Sequence, residues 1–187
     1  MRAPEQSLLT EGWHTLSEPL PDLGLAGAAI RVPFGADLAQ GSALAPPGAL
    51  LRYQTEEEQV FAATVPLPEK GQEVGVGVYS DARHHYLALL RKGDDGQEII
   101  LRRVVDDMIC ETAQPWSGHG PVRIQVLATP LSYLFVAEGS GFRAEIGQGS
   151  ARLLSAEACE WFVGANFVLC AFGSRGGCAT FTEVALG

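Results

Sequence analysis

Apolar and polar residues alternate along much of this chain with a period of two. Such a period places successive side chains on opposite faces of an extended strand and therefore predicts β-structure. The clearest runs cover residues 60–65, 74–79, 122–127 and 167–172. Clusters of Gly, Pro, Asp and Ser separate the runs at roughly 8–12-residue intervals, a spacing typical of sandwiches and barrels. The pattern predicts about eleven strands in an all-β, antiparallel fold.

Helical periodicity is scarce in the sequence. One short helix is predicted over residues 155–161, with Ser155 as its N-terminal cap. Residues 35–48 show little periodicity and are predicted to form a loop. No repeat of fixed period and no linker interrupts the pattern, so we predict a single domain over residues 1–187.

The composition agrees with a folded protein and narrows its partners. Hydrophobic residues make up 47% of the chain and charged residues 19%, which provides enough apolar material for a sizeable core. The formal net charge is −9. Because this charge repels phosphate backbones and anionic lipid, we expect no nucleic-acid partner and no membrane partner. A neutral ligand such as a sugar is compatible with the charge.

The N-terminal region does not resemble a signal peptide. The first twenty residues contain three glutamates and a histidine instead of an apolar stretch. The longest mostly apolar run, residues 161–173, is too short to cross a bilayer as a helix. We therefore expect a cytoplasmic protein.

The four cysteines are Cys110, Cys159, Cys170 and Cys178. No pair has the two-residue gap of a zinc or redox motif, so no metal ligand is assigned among them. In a reducing compartment we expect four free thiols, most of them buried. A Cys170–Cys178 bridge across a strand pair is the alternative.

Four segments, taken in order, carry a resemblance to a known family. They are LLRYQTEEEQVFAATVPL from Leu50, VGVGVYSDARHHYLALLRK from Val74, PVRIQVLATPLSYLFV from Pro121 and FVGANFVLCAFGSRGGCATFTEVAL from Phe162. Together they resemble the concanavalin A-like C-terminal module of family 43 glycoside hydrolases of the β-xylosidase type. The resemblance covers roughly residues 25–186 and consists of strands and turns instead of a catalytic motif.

The resemblance implies a jelly-roll sandwich of two curved antiparallel sheets. In full-length members this module packs on a five-bladed propeller that carries the catalytic carboxylates. Five blades need about 200 residues, more than the predicted sandwich leaves free. We therefore expect the module without its catalytic propeller.

Two departures from the family pattern bear on ligands. The family's closing strand carries aspartates that can help to hold calcium, whereas Thr180 and Thr182 stand at the matching positions. A hydroxyl is a neutral and weaker ligand for a hard cation, so we predict no cofactor, with structural calcium as the open alternative. The loop that in the family carries an aromatic residue toward the catalytic pocket matches residues 70–73, which contain none.

The sequence offers no pair of carboxyl groups for glycoside hydrolysis, which usually needs two across the scissile bond. The candidates are adjacent acidic residues at 56–58, 94–95 and 106–107. Neighbours on a strand point to opposite faces, so these sets are interpreted as solvated charges and no catalytic residue is assigned. His84 and His85 begin a strand and are interpreted as a rim pair, because a metal site would need further converging ligands.

A candidate sugar-binding set is expected on the concave sheet. Gly75 and Gly77 alternate inside a strand, and such glycines mark close approach by a ligand or by another backbone. Sugars bind to aromatic platforms together with planar polar groups. The predicted ligand-binding residues are Arg52, Gln54, Tyr79, His85 and Arg91 on the sheet, and Trp116 as an exposed stacking residue in a loop.

Three functions remain open at this point. The first is a non-catalytic, carbohydrate-associated module that binds a plant-type oligosaccharide on its concave sheet. The second is an interaction module that docks on itself or on a separate glycoside hydrolase. The third is a free-standing hydrolase or lyase. A groove lined by Tyr79, His85 and arginines would favour sugar binding, whereas a face filled by apolar side chains or by another subunit would favour the interaction module.

Overall fold

The computed structural model describes residues 11–16, 23–26, 28–41, 47–159 and 164–187. Within these residues the chain forms fourteen strands. They are β1 (Trp13–His14), β2 (Gly24–Ala26), β3 (Ala29–Pro33), β4 (Ala49–Tyr53), β5 (Gln59–Val65), β6 (Glu73–Asp81), β7 (His84–Lys92), β8 (Gln97–Val105), β9 (Met108–Trp116), β10 (Val122–Ala128), β11 (Ser132–Gly139), β12 (Phe142–Ser150), β13 (Asn166–Phe172) and β14 (Cys178–Leu186).

The strands form two sheets of seven, and all pairings between named strands are antiparallel. Sheet A has the order β1-β4-β13-β6-β7-β8-β9, and sheet B has the order β12-β11-β10-β5-β14-β3-β2. The predicted all-β, antiparallel, two-sheet sandwich is therefore confirmed. The strand count exceeds the prediction partly because β1 and β2 have two and three residues, too few to show an alternating pattern.

Helix is confined to the connection between β12 and β13 in the described residues. A 3₁₀ helix (Ala151–Leu154) is followed by the short helix α1 (Ala156–Cys159). The backbone N–H of Cys159 donates to the Ser155 carbonyl at 3.0 Å, so α1 begins directly after the predicted cap. The rest of the predicted helix, including Trp161, lies outside the described residues.

The main core lies between the two sheets. Phe61 of sheet B stacks on Phe167 of sheet A with 5.1 Å between ring centroids, and Trp13 meets Phe61 edge-on at 6.2 Å. Tyr86 reaches from sheet A to sheet B, where its hydroxyl donates to the Ser150 carbonyl at 3.1 Å. The alternation seen in the sequence supplies this layer, because every second residue of the central strands points into it.

A second apolar layer covers the outer face of sheet A, the face turned away from sheet B. Its members are Leu38, Ala49, Leu51, Tyr79, Leu87, Leu89, Ile100, Val168, Cys170 and Phe172. The segment 35–36 lies over one end of sheet A, where the Gly35 N–H donates to the Ala171 carbonyl at 3.1 Å. The central strands of sheet A are thus buried on both faces, which explains why β13 is apolar almost throughout.

Candidate functional site

The predicted sugar site falls on the outer face of sheet A, where Tyr79 and His85 are neighbours. They face each other across β6 and β7, with 6.1 Å between ring centroids. Tyr79 is 8% exposed and His85 is 0% exposed. Both side chains are therefore buried in the closed layer on this face and are not presented to solvent as a sugar-stacking surface would be.

His85 is buried as a neutral imidazole. Burial lowers the pKa of His85 below its ordinary value of 6.5, and the weaker effects of a hydrogen bond to Asp81, of Asp37 and of Asp81 itself oppose this. Its Nδ1–H donates to the Asp81 carbonyl at 3.3 Å, while Nε2 is buried without a hydrogen-bond partner among the described residues. Burial, and secondarily Asp81, raises the pKa of Tyr79 to about 12, so the phenol stays neutral at physiological pH.

Acid should destabilise the fold through His85. Between the lowered folded-state pKa and 6.5 the unfolded chain binds a proton that the buried imidazole does not, so stability present near pH 7 is lost as the pH falls through 6.5. We expect His85→Gln to lose less stability than the wild type between pH 7 and pH 5 in denaturant unfolding. The exposed His119 supplies the control, since His119→Gln should follow the wild-type curve. Equal losses in His85→Gln and wild type would refute this role.

Arg91 lies on the outer face of sheet A, and its guanidinium forms ion pairs with three glutamates. Its nitrogens lie 3.1 Å from Glu98, 3.5 Å from Glu73 and 3.7 Å from Glu111. Arg91 therefore serves an ion-pair network in this structure.

Arg102 is the centre of the same network, and no pattern in the sequence points to it. Its guanidinium pairs with Asp37 at 2.8 Å, Glu73 at 2.9 Å and Glu111 at 2.5 Å. Burial lowers the pKa of Arg102, but Glu73, Glu111 and Asp37 together outweigh burial, and the net effect is a raised pKa. The network closes the polar end of the outer face. No acidic pair in the sequence indicated it, because Asp37 and Glu111 are 74 residues apart and come from a loop and an edge strand.

Arg52 and Gln54 do not lie on the outer face of sheet A with Tyr79 and His85, contrary to the prediction. Arg52 lies opposite Trp13 and Phe167, which point into the main core, and its guanidinium lies 5.6 Å from the centroid of the Trp13 ring. Gln54 follows the end of β4 and accepts a hydrogen bond from the Tyr133 hydroxyl of sheet B at 2.9 Å. The period of two along β4 puts Leu51 on the outer face and therefore Arg52 on the inner side.

The prediction that Trp116 is an exposed loop residue is wrong. Trp116 is the last residue of β9, pairs with Gln97 in register, and is 5% exposed. Its ring packs edge-on against Phe142 at 5.7 Å. Pro115 did not end the strand, because β9 lies at a sheet edge where a missing N–H costs no ladder hydrogen bond.

The glycines of β6 are explained by the neighbouring backbone. A β-carbon on Gly75 would overlap the carbonyl oxygen of Ala88, and one on Gly77 would overlap that of Tyr86. Of the two explanations offered by the sequence, close approach of another strand therefore accounts for both glycines.

The remaining acidic candidates are exposed, as interpreted from the sequence. Glu56, Glu57 and Glu58 lie in the loop after β4, and Asp94 pairs with Lys70 at 2.7 Å on the surface. Cys110, Cys159 and Cys170 are free thiols, and Cys159 and Cys170 are buried. Among the described residues, no helix has the length and apolar character needed to cross a membrane.

The family model of the β-xylosidase C-terminal concanavalin A-like domain matches residues 8–185. The chain belongs to this family. The β-xylosidase C-terminal domain is a non-catalytic part of family 43 xylosidases. No curated protein matches the chain in sequence.

Solved structures of family 43 enzymes share the fold of this β-xylosidase C-terminal domain. The Bacteroides ovatus protein "Xyloglucan PUL GH43B" has a TM-score of 0.81 at 20% identity, and a Bacillus halodurans xylan β-1,4-xylosidase has 0.81 at 14%. In both comparisons 91% of this chain covers 35% of the other chain. A Saccharomyces cerevisiae protein of unknown function has a TM-score of 0.67 at 11% identity and is covered over 94% of its length. The chain therefore spans about a third of the enzymes and nearly all of the yeast structure.

Proposed function

We propose that the chain is a non-catalytic accessory module that packs, through strand β9, on the catalytic domain of a family 43 glycoside hydrolase. The catalytic domain can lie on the same polypeptide or on a separate one. The observation that carries the proposal is the combination of a closed outer face on sheet A with a long, regular edge at β9 that begins with exposed apolar side chains.

The β9 edge differs from the other sheet edges in the described residues. β1 and β2 are too short to pair with another strand, and β12 is interrupted by a register shift opposite Phe135 and Val136. β9 pairs with β8 without interruption over nine residues and carries one charged residue, Glu111. Proteins normally protect long regular edges with charges, prolines, bulges or covering segments. In β9 the proline, Pro115, comes only at the second-last position, so the edge formed by residues 108–114 favours association.

Exposed apolar side chains at the start of β9 strengthen this assignment. Met108 is 64% exposed and Ile109 is 66% exposed, although both belong to a regular strand. Adjacent residues of a strand point to opposite faces of the sheet, so a partner strand paired with β9 would contact Met108 on one face and Ile109 on the other. Strand addition of this kind combines backbone hydrogen bonds with pockets for alternate side chains.

Sugar binding on the outer face is the finer hypothesis from the sequence, and the geometry favours it less. Tyr79 and His85 are buried, Arg91 is engaged by three glutamates, and Arg52 lies toward the other face. Apolar side chains fill this face, the arrangement expected of an interaction module. The neighbouring enzymes, about two thirds of which this chain does not span, support a catalytic domain as the partner.

Binding to family 43 catalytic domains tests the proposal. The domains encoded in the source genome, including any on the same polypeptide, are expressed separately and titrated with this chain in a calorimeter. We expect at least one to bind, and Ile109→Lys to weaken binding by at least about tenfold, because burying an unpaired charge costs more than about 1.4 kcal/mol.

Leu131 provides the matched control, since it is 82% exposed but lies between β10 and β11 on sheet B. Leu131→Lys should leave the affinity unchanged. Failure of every catalytic domain to bind, or equal effects of the two lysine variants, would contradict the proposal. Sedimentation of the chain alone distinguishes self-association from docking on an enzyme.

A further inference from the structure

A carboxylate, an imidazole and a thiol converge at one end of sheet A. Asp81 ends β6, His84 begins β7, and Cys159 ends α1. One potential ligand atom of each residue lies within 4.8 Å of the others. The sequence indicated only the histidine, because the thiol comes from 75 residues further along the chain.

The three residues are positioned by separate anchors. The Asp81 carboxylate accepts the Arg83 backbone N–H at 2.7 Å and lies 3.0 Å from Nδ1 of His84. The buried Ser80 hydroxyl donates to the Leu154 carbonyl at 2.7 Å and ties β6 to the helical connection that carries Cys159. The turn between β6 and β7 accounts for the Asp81–His84 contact, but it does not require a thiol beside it.

The cluster forms part of the wall of an open cleft of about 560 Å³. His84 is 8% exposed and Cys159 is 4% exposed, so both would hold a ligand in a largely dry environment. Tyr79, Arg83 and Asp106 line the same cleft. A bound ion would therefore lie at the cleft wall, with one side open to solvent or to a small ligand.

We propose that Asp81, His84 and Cys159 form a binding site for a zinc-like divalent ion with an open coordination position toward the cleft. Thiolate, imidazole and carboxylate are the zinc donor set, and three protein ligands with one open position are typical of reactive zinc sites. Ligands about 2.0–2.3 Å from zinc lie roughly 3–4 Å apart, so small side-chain rotations close the present separations. Calcium and magnesium require oxygen ligands and do not suit a thiol.

Binding would displace protons in a defined way. The Cys159 thiol loses its proton to solvent as the sulfur–metal bond forms, and Nδ1 of His84 gives up its contact with Asp81 if it becomes the ligand. The ion would then join the β6–β7 turn to α1. Because the three ligands meet only in the folded chain, metal binding should also raise its melting temperature.

Cobalt(II) titration tests the site, because cobalt replaces zinc and reports a thiolate ligand through a charge-transfer band in the near ultraviolet. The experiment uses the full chain without a histidine tag, kept reduced with a phosphine. We expect one equivalent of cobalt to give the band and zinc to bleach it. Cys159→Ser should abolish the band. His84→Gln should weaken cobalt binding by at least about 100-fold, because losing a direct ligand costs at least as much as losing a residue that only supports a ligand, for which the upper end is about 100-fold.

Two remote residues supply matched controls. Cys110 and His119 are exposed and lie outside the cluster, so Cys110→Ser and His119→Gln should bind cobalt like the wild type. Circular dichroism of each variant without metal shows whether it is folded, and the charge-conserving Asp81→Glu variant gives a second readout if Cys159→Ser unfolds. The absence of the band at millimolar cobalt, or its persistence in folded Cys159→Ser, would overturn the proposal.

Discussion

Replacing Arg102 with methionine should lower the free energy of unfolding by about 3 kcal/mol. The side chain of Arg102 is 13% exposed and neutralises Asp37, Glu73 and Glu111 at the outer face of sheet A. Removing it takes away the cation with which Asp37 pairs and leaves Glu73 and Glu111 only the longer contacts with Arg91, at 3.5 and 3.7 Å. The value of about 3 kcal/mol is the lower end of the cost of breaking a buried ion pair, because the side chains of these three carboxylates are still 19–33% exposed to solvent.

Denaturant unfolding measures this effect, and Arg123→Met is the control. Arg123 pairs with Glu183 at 3.5 Å, and Glu183 is 70% exposed, so its loss should cost no more than about 1 kcal/mol. A cost equal to that of Arg123→Met would show that the network contributes little to the fold.

Gly75→Ala should destabilise the domain by about 3 kcal/mol or more. The added methyl group overlaps the Ala88 carbonyl oxygen, which belongs to the backbone of β7 and cannot move without disturbing the β6–β7 ladder. Overpacking usually costs about 1–3 kcal/mol, and a rigid backbone neighbour places this case at or above the upper end.

Gly164→Ala is the matched control for Gly75→Ala. Its β-carbon would have no atom within 4 Å, so we expect a change within about 0.5 kcal/mol. The melting temperatures and denaturant midpoints of both variants check the prediction. If Gly75→Ala kept wild-type stability, the close approach of β7 would not be the reason for glycine, and approach by a ligand would become the better explanation.

The sequence predicts the sandwich well because strand alternation is a local property. β5 and β10 each show apolar residues at every second position, and both pack that face into the core. β6 and β13 also carried a sign of burial on both faces, since Gly75, Gly77 and Cys170 stand where polar residues would be expected. For Gly75 and Gly77 the sequence allows approach by a ligand or by another backbone, and the structure shows the neighbouring backbone together with a second packed layer.

The candidate site was harder to predict because it depends on long-range geometry. The face on which Arg52 lies follows from its register with Trp13 and Phe167, and the covering of the outer face depends on Leu38 from a loop. Neither relationship has a local pattern in the sequence. The same limit applies to Cys159, whose approach to His84 is set by a helical connection between the sheets.

The most direct test of the proposed role follows backbone amide signals of the isotope-labelled chain by NMR in two titrations. One uses the family 43 catalytic domain that binds in calorimetry, and the other uses xylo-oligosaccharides. We predict that the catalytic domain shifts or broadens the amides of Met108, Ile109 and Cys110, and that sugar leaves Tyr79, His85 and Arg91 unchanged. Saturable shifts of Tyr79, His85 and Arg91 with sugar, with the β9 amides unmoved by the catalytic domain, would contradict the account.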